Sequence, residues 1–131
     1  MINDSLLGVV DMLYDFIDGS LACLGADKAV ANTLQFIKST RNDDLPVFFI
    51  RDHHPADHSS FKEQGGIWPP HCVAGTRGGE IADELKPYAD EDLTFDKGCD
   101  KAVEQYSGFD GRNSAGQSLG EVAAMLEPKD V

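Results

Sequence analysis

Three short apolar runs punctuate the chain, and each ends in charge. "LLGVVDM" carries Leu6 to Val10 and then Asp11; "PVFFIRD" carries Val47 to Ile50 and then Arg51 and Asp52; "DLTFDK" carries Leu93 to Phe95 and then Asp96 and Lys97. The first two are continuous rather than alternating, the pattern of strands buried on both faces of a parallel sheet. Between them, "ADKAVANTLQFIKST" repeats Ala29, Val30, Thr33, Leu34 and Ile37 at helical spacing, with Asp27 where a helix start prefers a capping acceptor. Strand, helix and strand over this length predict a βαβ unit with a right-handed crossover. A second helix is predicted over "GGEIADELK", from near Gly78 to Pro87. A third follows the capping box of Ser118 and Glu121, covers "VAAMLE" and stops at Pro128. The fold class is α/β.

Length and charge narrow the picture. A chain of 131 residues, 41% apolar and 26% charged, is expected to form one domain with a real core. Its 23 acidic against 11 basic residues, a net charge of −12, repel phosphate backbones and anionic lipid, which argues against nucleic-acid or membrane partners. No apolar run approaches the roughly 20 residues that span a bilayer. The N-terminus lacks the basic start and small-residue cleavage site of a signal peptide. Three cysteines without a CxxC pair do not make a disulfide framework. The expectation is a reduced, cytoplasmic protein.

In open parallel sheets, ligands bind outside the carboxyl ends of the strands. Here those ends carry Asp11, Asp52 and Lys97. Strand exits are often polar for no catalytic reason, but the connection that follows the second strand changes the weighting. From His53 to about Arg77 it is longer than compact domains usually tolerate without function. Its Ile67, Trp68, Pro69 and Pro70 suit disorder poorly.

That connection holds all four histidines, in "DHHPADHSSFKEQGGIWPPHC", residues 52–72. A solvated polar loop is one reading; a metal site is the other. If strand geometry persists past Ile50, Asp52 and His54 share a face and His53 points away. Pro55 then ends the strand, His58 follows after a short turn, and two prolines stiffen the approach of His71. A carboxylate with two imidazoles suits zinc, iron or manganese and leaves positions open for water or substrate.

Four segments together resemble the nicotinamidase/pyrazinamidase branch of the isochorismatase-like cysteine hydrolase superfamily: "VVDMLYDF" (Val9 to Phe16), "RDHHPADHSSF" (Arg51 to Phe61), "WPPHCVAGT" (Trp68 to Thr76) and "DKGCDKAVEQYSGF" (Asp96 to Phe109). The second and third are the specific ones, since superfamily branches without the metal lack them. The resemblance spans essentially the whole chain, residues 1–131. It implies a Rossmann-like three-layer α/β/α fold with a parallel sheet, of which this chain would hold the N-terminal part. It further implies Asp11 and Lys97 as catalytic aspartate and lysine, and Asp52, His54 and His71 as ligands of one divalent transition metal ion, zinc first, with iron or manganese as alternatives. His58 matches a further histidine of the motif, which either ligates or lies nearby. Phe16 and Trp68 match residues that flank the substrate ring, although plain core packing would also account for Trp68. The implied activity is hydrolysis of nicotinamide, and of pyrazinamide, to the acid and ammonia through a cysteine thioester. The partner is thus a small-molecule amide; a homo-oligomer is left open.

Two departures stand out. Many members carry Gln-Asn where this chain has Leu13-Tyr14, which removes two amides expected near the pocket and predicts a relaxed substrate preference. The family's nucleophilic cysteine belongs on the strand after the helix at 118–127, and "EPKDV" stands where that strand should begin. The nucleophile is therefore expected C-terminal to Val131, in a longer protein of which this chain by itself is inactive. The family's sheet order, 3-2-1-4-5-6, would then leave the first strand as a bare apolar edge. Cys99, two residues past Lys97, is a weaker substitute nucleophile whose pKa the cation is expected to lower; Cys23 and Cys72 read as inert small residues. Two rival functions stay open: a non-catalytic metal- or small-molecule-binding protein, and a metallohydrolase in which Asp11 activates a metal-bound water without any thiol.

Overall fold

A computed structural model describes residues 5–40 and 45–126. Three strands, β1 (Leu7–Val10), β2 (Val47–Asp52) and β3 (Thr94–Lys97), form one sheet in the order β1-β2-β3, all parallel. The register pairs Val10 with Ile50 and Asp52 with Lys97, so the charged residues after the apolar runs gather at one rim. Three helices accompany the strands: the single turn α1 (Tyr14–Ile17), the long α2 (Ala26–Ser39) and α3 (Leu119–Leu126).

Alternation along β2 splits the core into two layers. Phe49 faces one side with Val9, Leu13, Val30 and Ile37, and with Ile81, Ala82 and Leu85 from the segment before β3. Phe48 and Ile50 face the other with Phe95, Leu119 and Val122. A sheet sandwiched between apolar faces on both sides is the expected α/β/α layering. Burial on both faces holds for β2 but not for β1. Val9 is 3% exposed while Val10 is 49% exposed, because β1 pairs on one side only among the described residues. A groove of about 290 Å³ runs along that edge, lined in part by Val10, Met12, Thr33 and Phe36.

Two local expectations are corrected. Asp27 does not cap α2. Gly25 occupies the cap position with φ +80°, and Asp27 lies in the first turn, where a carboxylate still opposes the positive end of the helix dipole. The helix predicted from Gly78 to Pro87 is absent. Two 3₁₀ turns, Arg77–Gly79 and Lys86–Tyr88, flank a strap instead, in which residues 83–85 make a hydrogen-bonded turn. The strap's backbone groups are taken by the β1–α1 connection: Tyr14 N–H donates to Glu80 O at 3.2 Å, and Ala82 N–H donates to Met12 O at 3.0 Å. Two adjacent glycines and a proline weaken any helical competitor. The third helix keeps its capping box in both directions, Glu121 N–H to Ser118 Oγ at 3.2 Å and Ser118 N–H to Glu121 Oε1 at 3.4 Å. Its expected stop at Pro128 lies outside the described residues.

Leu13 and Tyr14 serve this packing. Leu13 is fully buried and bridges Ile81. Tyr14 lies beneath the Arg77 guanidinium, 3.8 Å from the ring centroid, and its hydroxyl accepts from Asp83 N–H at 2.9 Å. The Leu-Tyr departure thus builds core and strap, away from the cleft described next.

Candidate active site and metal centre

The rim of the sheet brings Asp11, Asp52 and Lys97 together. Asp11 follows β1 with φ +59°, a left-handed conformation that aspartate tolerates better than most residues, and its N–H still donates to Ile50 O. Lys97 ends β3 with a side chain 3% exposed. Its ammonium lies 2.6 Å from Asp52 Oδ1 and 3.3 Å from Asp11 Oδ2. Burial alone would drive this ammonium toward neutrality, but the Asp52 hydrogen bond and the Asp11 charge reverse that and raise its pKa. Burial pushes the Asp11 carboxyl up; Lys97 pulls it back only in part, and the Asp52 charge adds to the rise. Asp52 is pressed upward by burial too, yet the facing His54 imidazole and the Lys97 hydrogen bond win and hold it below the usual carboxylate range. The rim therefore pairs a firmly ionised carboxylate with one more ready to hold a proton.

Asp52 also faces two imidazoles. His54 Nε2 lies 3.5 Å and His71 Nε2 3.7 Å from Asp52 Oδ2, and one ligand atom from each of the three residues lies within 4.8 Å of the others. The opposite ring nitrogens are tied to carbonyls: His54 Nδ1 donates to Gly98 O and His71 Nδ1 to Pro69 O, both at 2.9 Å. A carbonyl only accepts, so both Nδ1 atoms carry hydrogen, and the tautomer this fixes places the lone pair of a neutral ring on Nε2, which faces a carboxylate oxygen. His54 is fully buried and its Nε2 has no hydrogen-bond partner. Three electron-rich atoms converging without a donor between them need a cation or a proton. The donor set fits a divalent transition metal.

The other two histidines stand apart. His53 points to the opposite face, 4.0 Å from Asp96, as period-two geometry requires. His58 stacks behind His54 with ring centroids 4.3 Å apart. Its Nε2 donates to Val103 O at 2.9 Å and its Nδ1 accepts from Ser60 Oγ at 2.7 Å, leaving no lone pair free for a cation. Phe61, 1% exposed, packs against His54 and His71 with centroids 5.6 and 5.4 Å away.

Beside the triad opens a cleft of about 350 Å³ that gathers Asp11, Asp52, His71, Lys97, Phe16 and Trp68. Leu21, Cys23, Glu104 and Tyr106 also line it, and sequence reasoning had not assigned them there. Tyr106 lies in the quoted segment that ends at Phe109, a usable signal; nothing local marks Cys23. Of the three free cysteines, Cys72 is fully buried, and burial followed by the charges of Asp52, Asp15 and Asp11 pushes its thiol far up. Cys99 is raised by burial and by Asp96, not lowered by Lys97. Its strand has ended, since Gly98 turns with φ +69°.

A family profile described as "Isochorismatase domain" matches residues 5–116. The chain is 32% identical over 114 residues to the nicotinamidase/pyrazinamidase of Mycobacterium tuberculosis, covering 85% of this chain and 60% of the relative. It is 30% identical over 117 residues to the nicotinamidase of Escherichia coli, covering 77% of this chain and 54% of the relative. The chain thus spans little more than half the length of these relatives. Among solved structures it is similar to the pyrazinamidase of Pyrococcus horikoshii in complex with zinc, at TM-score 0.74 and 35% identity over 82% of this chain and 59% of the other.

Proposed function

The chain belongs to the isochorismatase family, and on that premise we propose that it serves metal-assisted hydrolysis of a heteroaromatic carboxamide, nicotinamide to nicotinate and ammonia, with pyrazinamide as a surrogate. One observation carries the reading: a single cleft joins the Asp11–Lys97 couple to the Asp52–His54–His71 triad. Nicotinamidases among its relatives, and zinc on the Pyrococcus relative, support the same assignment. Three free cysteines fit a reducing, cytoplasmic setting, and no helix among the described residues is long and apolar enough to cross a membrane.

In this proposal Asp52, His54 and His71 hold one divalent cation, zinc first. When bound, the cation supplies a Lewis-acidic anchor for a ring nitrogen and so helps aim the carboxamide. Phe16 and Trp68 cover the ring. Asp11, its carboxyl raised, takes the proton of a cysteine thiol, and Lys97 balances the charge that develops. The thiolate adds to the amide carbon. Asp11 returns its proton to the leaving nitrogen, ammonia departs, and water hydrolyses the thioester to the acid. General acid–base transfer of this kind is worth roughly 10² to 10⁴ in rate.

Neither Cys72 nor Cys99 is set to ionise, and Cys23, which lines the cleft, donates its Sγ–H to Leu21 O at 3.5 Å. The thiol of the mechanism is therefore not assigned to Cys72 or Cys99. The same observation favours one second reading, a protein that binds metal and amide without turnover. Calorimetric titration of nicotinamide into the zinc-loaded protein, and again after chelation, tests what the two readings share: heat of binding is expected only with zinc. Ammonia release then separates them, and its abolition by a thiol alkylator is the outcome the cysteine route requires. Release that ignores the alkylator would instead support a metal-bound water activated by Asp11.

A further inference from the structure

We propose that Asp15 is a positioning residue for His71, holding that imidazole through the peptide groups on either side of it. The inference rests on the metal reading above and extends it to a residue that neither lines the cleft nor belongs to the triad.

Asp15 sits in α1, and its two carboxylate oxygens accept from different places. Oδ2 accepts from the Cys72 N–H at 2.8 Å, the peptide immediately after His71. Oδ1 accepts from the Ser20 N–H at 3.3 Å, and the Ser20 hydroxyl in turn donates to Pro70 O at 2.8 Å, the peptide immediately before His71. The histidine is thus gripped from both sides by one turn lying 50 to 57 residues earlier in the chain.

The backbone at this point needs holding. Cys72 has φ +50°, a left-handed conformation rare for a residue with a side chain, and it is fully buried. The turn at Cys72 sets the direction in which the preceding residue meets Asp52. A charged acceptor on its N–H is roughly twice as strong as a neutral one, so a carboxylate secures this conformation better than an amide or hydroxyl would. The surroundings leave room for that carboxylate and little else. A Cβ at Gly78 would fall 2.1 Å from Asp15 Oδ2, and one at Gly19 would fall 2.1 Å from Oδ1. The neighbouring Phe16 ring rests 5.8 Å from the His71 ring, so the same turn also supports the imidazole by packing.

Zinc affinity, measured by competition with a chromophoric chelator, tests the proposal on the folded chain. Asp15→Asn is expected to weaken zinc binding about 10- to 100-fold, the usual effect of losing a partner that orients a ligand, while Asp27→Asn on the exposed face of α2 leaves it unchanged. Cobalt in place of zinc should show an altered visible d–d spectrum in Asp15→Asn, a signature that general destabilisation does not produce. Because Asp15 acts through His71, Asp15→Asn combined with His71→Ala should bind no more weakly than His71→Ala by itself. Wild-type affinity in Asp15→Asn, or fully additive losses in the double variant, overturns the proposal. Should Asp15→Asn fail to fold, Ser20→Ala removes only the grip on Pro70 O from an exposed position, and a few-fold weaker affinity is expected; no change there overturns the proposal equally. Failure of the wild-type protein to bind zinc at all would instead overturn the metal reading, and this inference with it.

Discussion

Lys97 makes its shorter bond to Asp52, at 2.6 Å, and its longer one to Asp11, at 3.3 Å. The family resemblance pairs this lysine with Asp11 in acid–base work; the structure ties it at least as firmly to the carboxylate of the proposed metal centre. One buried ammonium thereby joins the two halves of the site. Anything that moves it should be felt by both.

Replacing Lys97 with methionine keeps the volume of the stem and removes the charge. The two carboxylates would then face each other across a buried gap, and breaking a buried pair of this kind costs about 3–5 kcal/mol. Thermal unfolding after chelation should show that loss. Adding zinc should recover part of it, since the cation again places positive charge beside Asp52. An unfolding midpoint unchanged from wild type would mean the lysine contributes nothing to folding.

His54→Ala and His71→Ala should each lower the zinc retained after gel filtration well below one per chain, leaving a weaker affinity that competition with a chelator still measures. His58→Gln should retain one zinc per chain and lose stability instead, because both ring nitrogens of His58 are already engaged by Ser60 and Val103. Loss of zinc from His58→Gln would show that its ring turns to become a ligand.

The proposed metal site carries a pH dependence with a definite sign. Burial disfavours a charged His54, but the facing Asp52 carboxylate and the hydrogen bond to Gly98 O outweigh it and raise the pKa above 6.5. A base raised on folding stabilises the metal-free protein fully below its unfolded value, and that contribution is lost as pH climbs through the folded value. A cation needs the same Nε2 lone pair, so zinc affinity runs the opposite way and strengthens as pH rises through that window above 6.5. Asp52, held below 3.8, contributes stability that persists above that value and disappears on further acidification. Titrations in buffers of differing ionisation enthalpy should register proton release on zinc binding at neutral pH, and a buffer-independent heat would contradict the assignment.

Gly98 is irreplaceable on two counts. Its φ is +69°, and a Cβ there would fall 2.4 Å from His54 Cε1 and 2.6 Å from Nδ1. Gly98→Ala should lower stability by about 1–3 kcal/mol through the backbone strain, and weaken zinc binding in the same variant by displacing His54. Chemical denaturation with a chelator titration on the same sample reads both effects. Wild-type zinc affinity would show that the ring yields without leaving its place.

Much of this could be seen in the chain before any coordinates. Leu6–Val10 and Val47–Ile50 announced strands by their continuous apolar runs, although only β2 is buried on both faces, and Leu93–Phe95 marked β3 without that signature. The charge after each run reached one rim because parallel strands end on the same side. Asp52 and His54 shared a face for the simplest reason, a side-chain period of two. The strap at 77–88 went astray because periodicity weighs only near neighbours, whereas its hydrogen bonds belong to Met12 and Tyr14.

What the sequence by itself determined was the sheet, the long helix, the capping box at Ser118 and the set of groups able to meet at the rim. These depend on spacing within a few residues, and backbone geometry turns spacing into direction. What only the tertiary structure decided was which of those groups touch. Lys97 and Asp52 are 45 residues apart, Lys97 and Asp11 86, and Asp15 and Cys72 57. The preference of Lys97 for Asp52, the engagement of both His58 nitrogens and the grip of Asp15 on the peptide after His71 all come from packing distant segments into one low-dielectric space. There most buried donors and acceptors find a partner, and local pattern does not specify which.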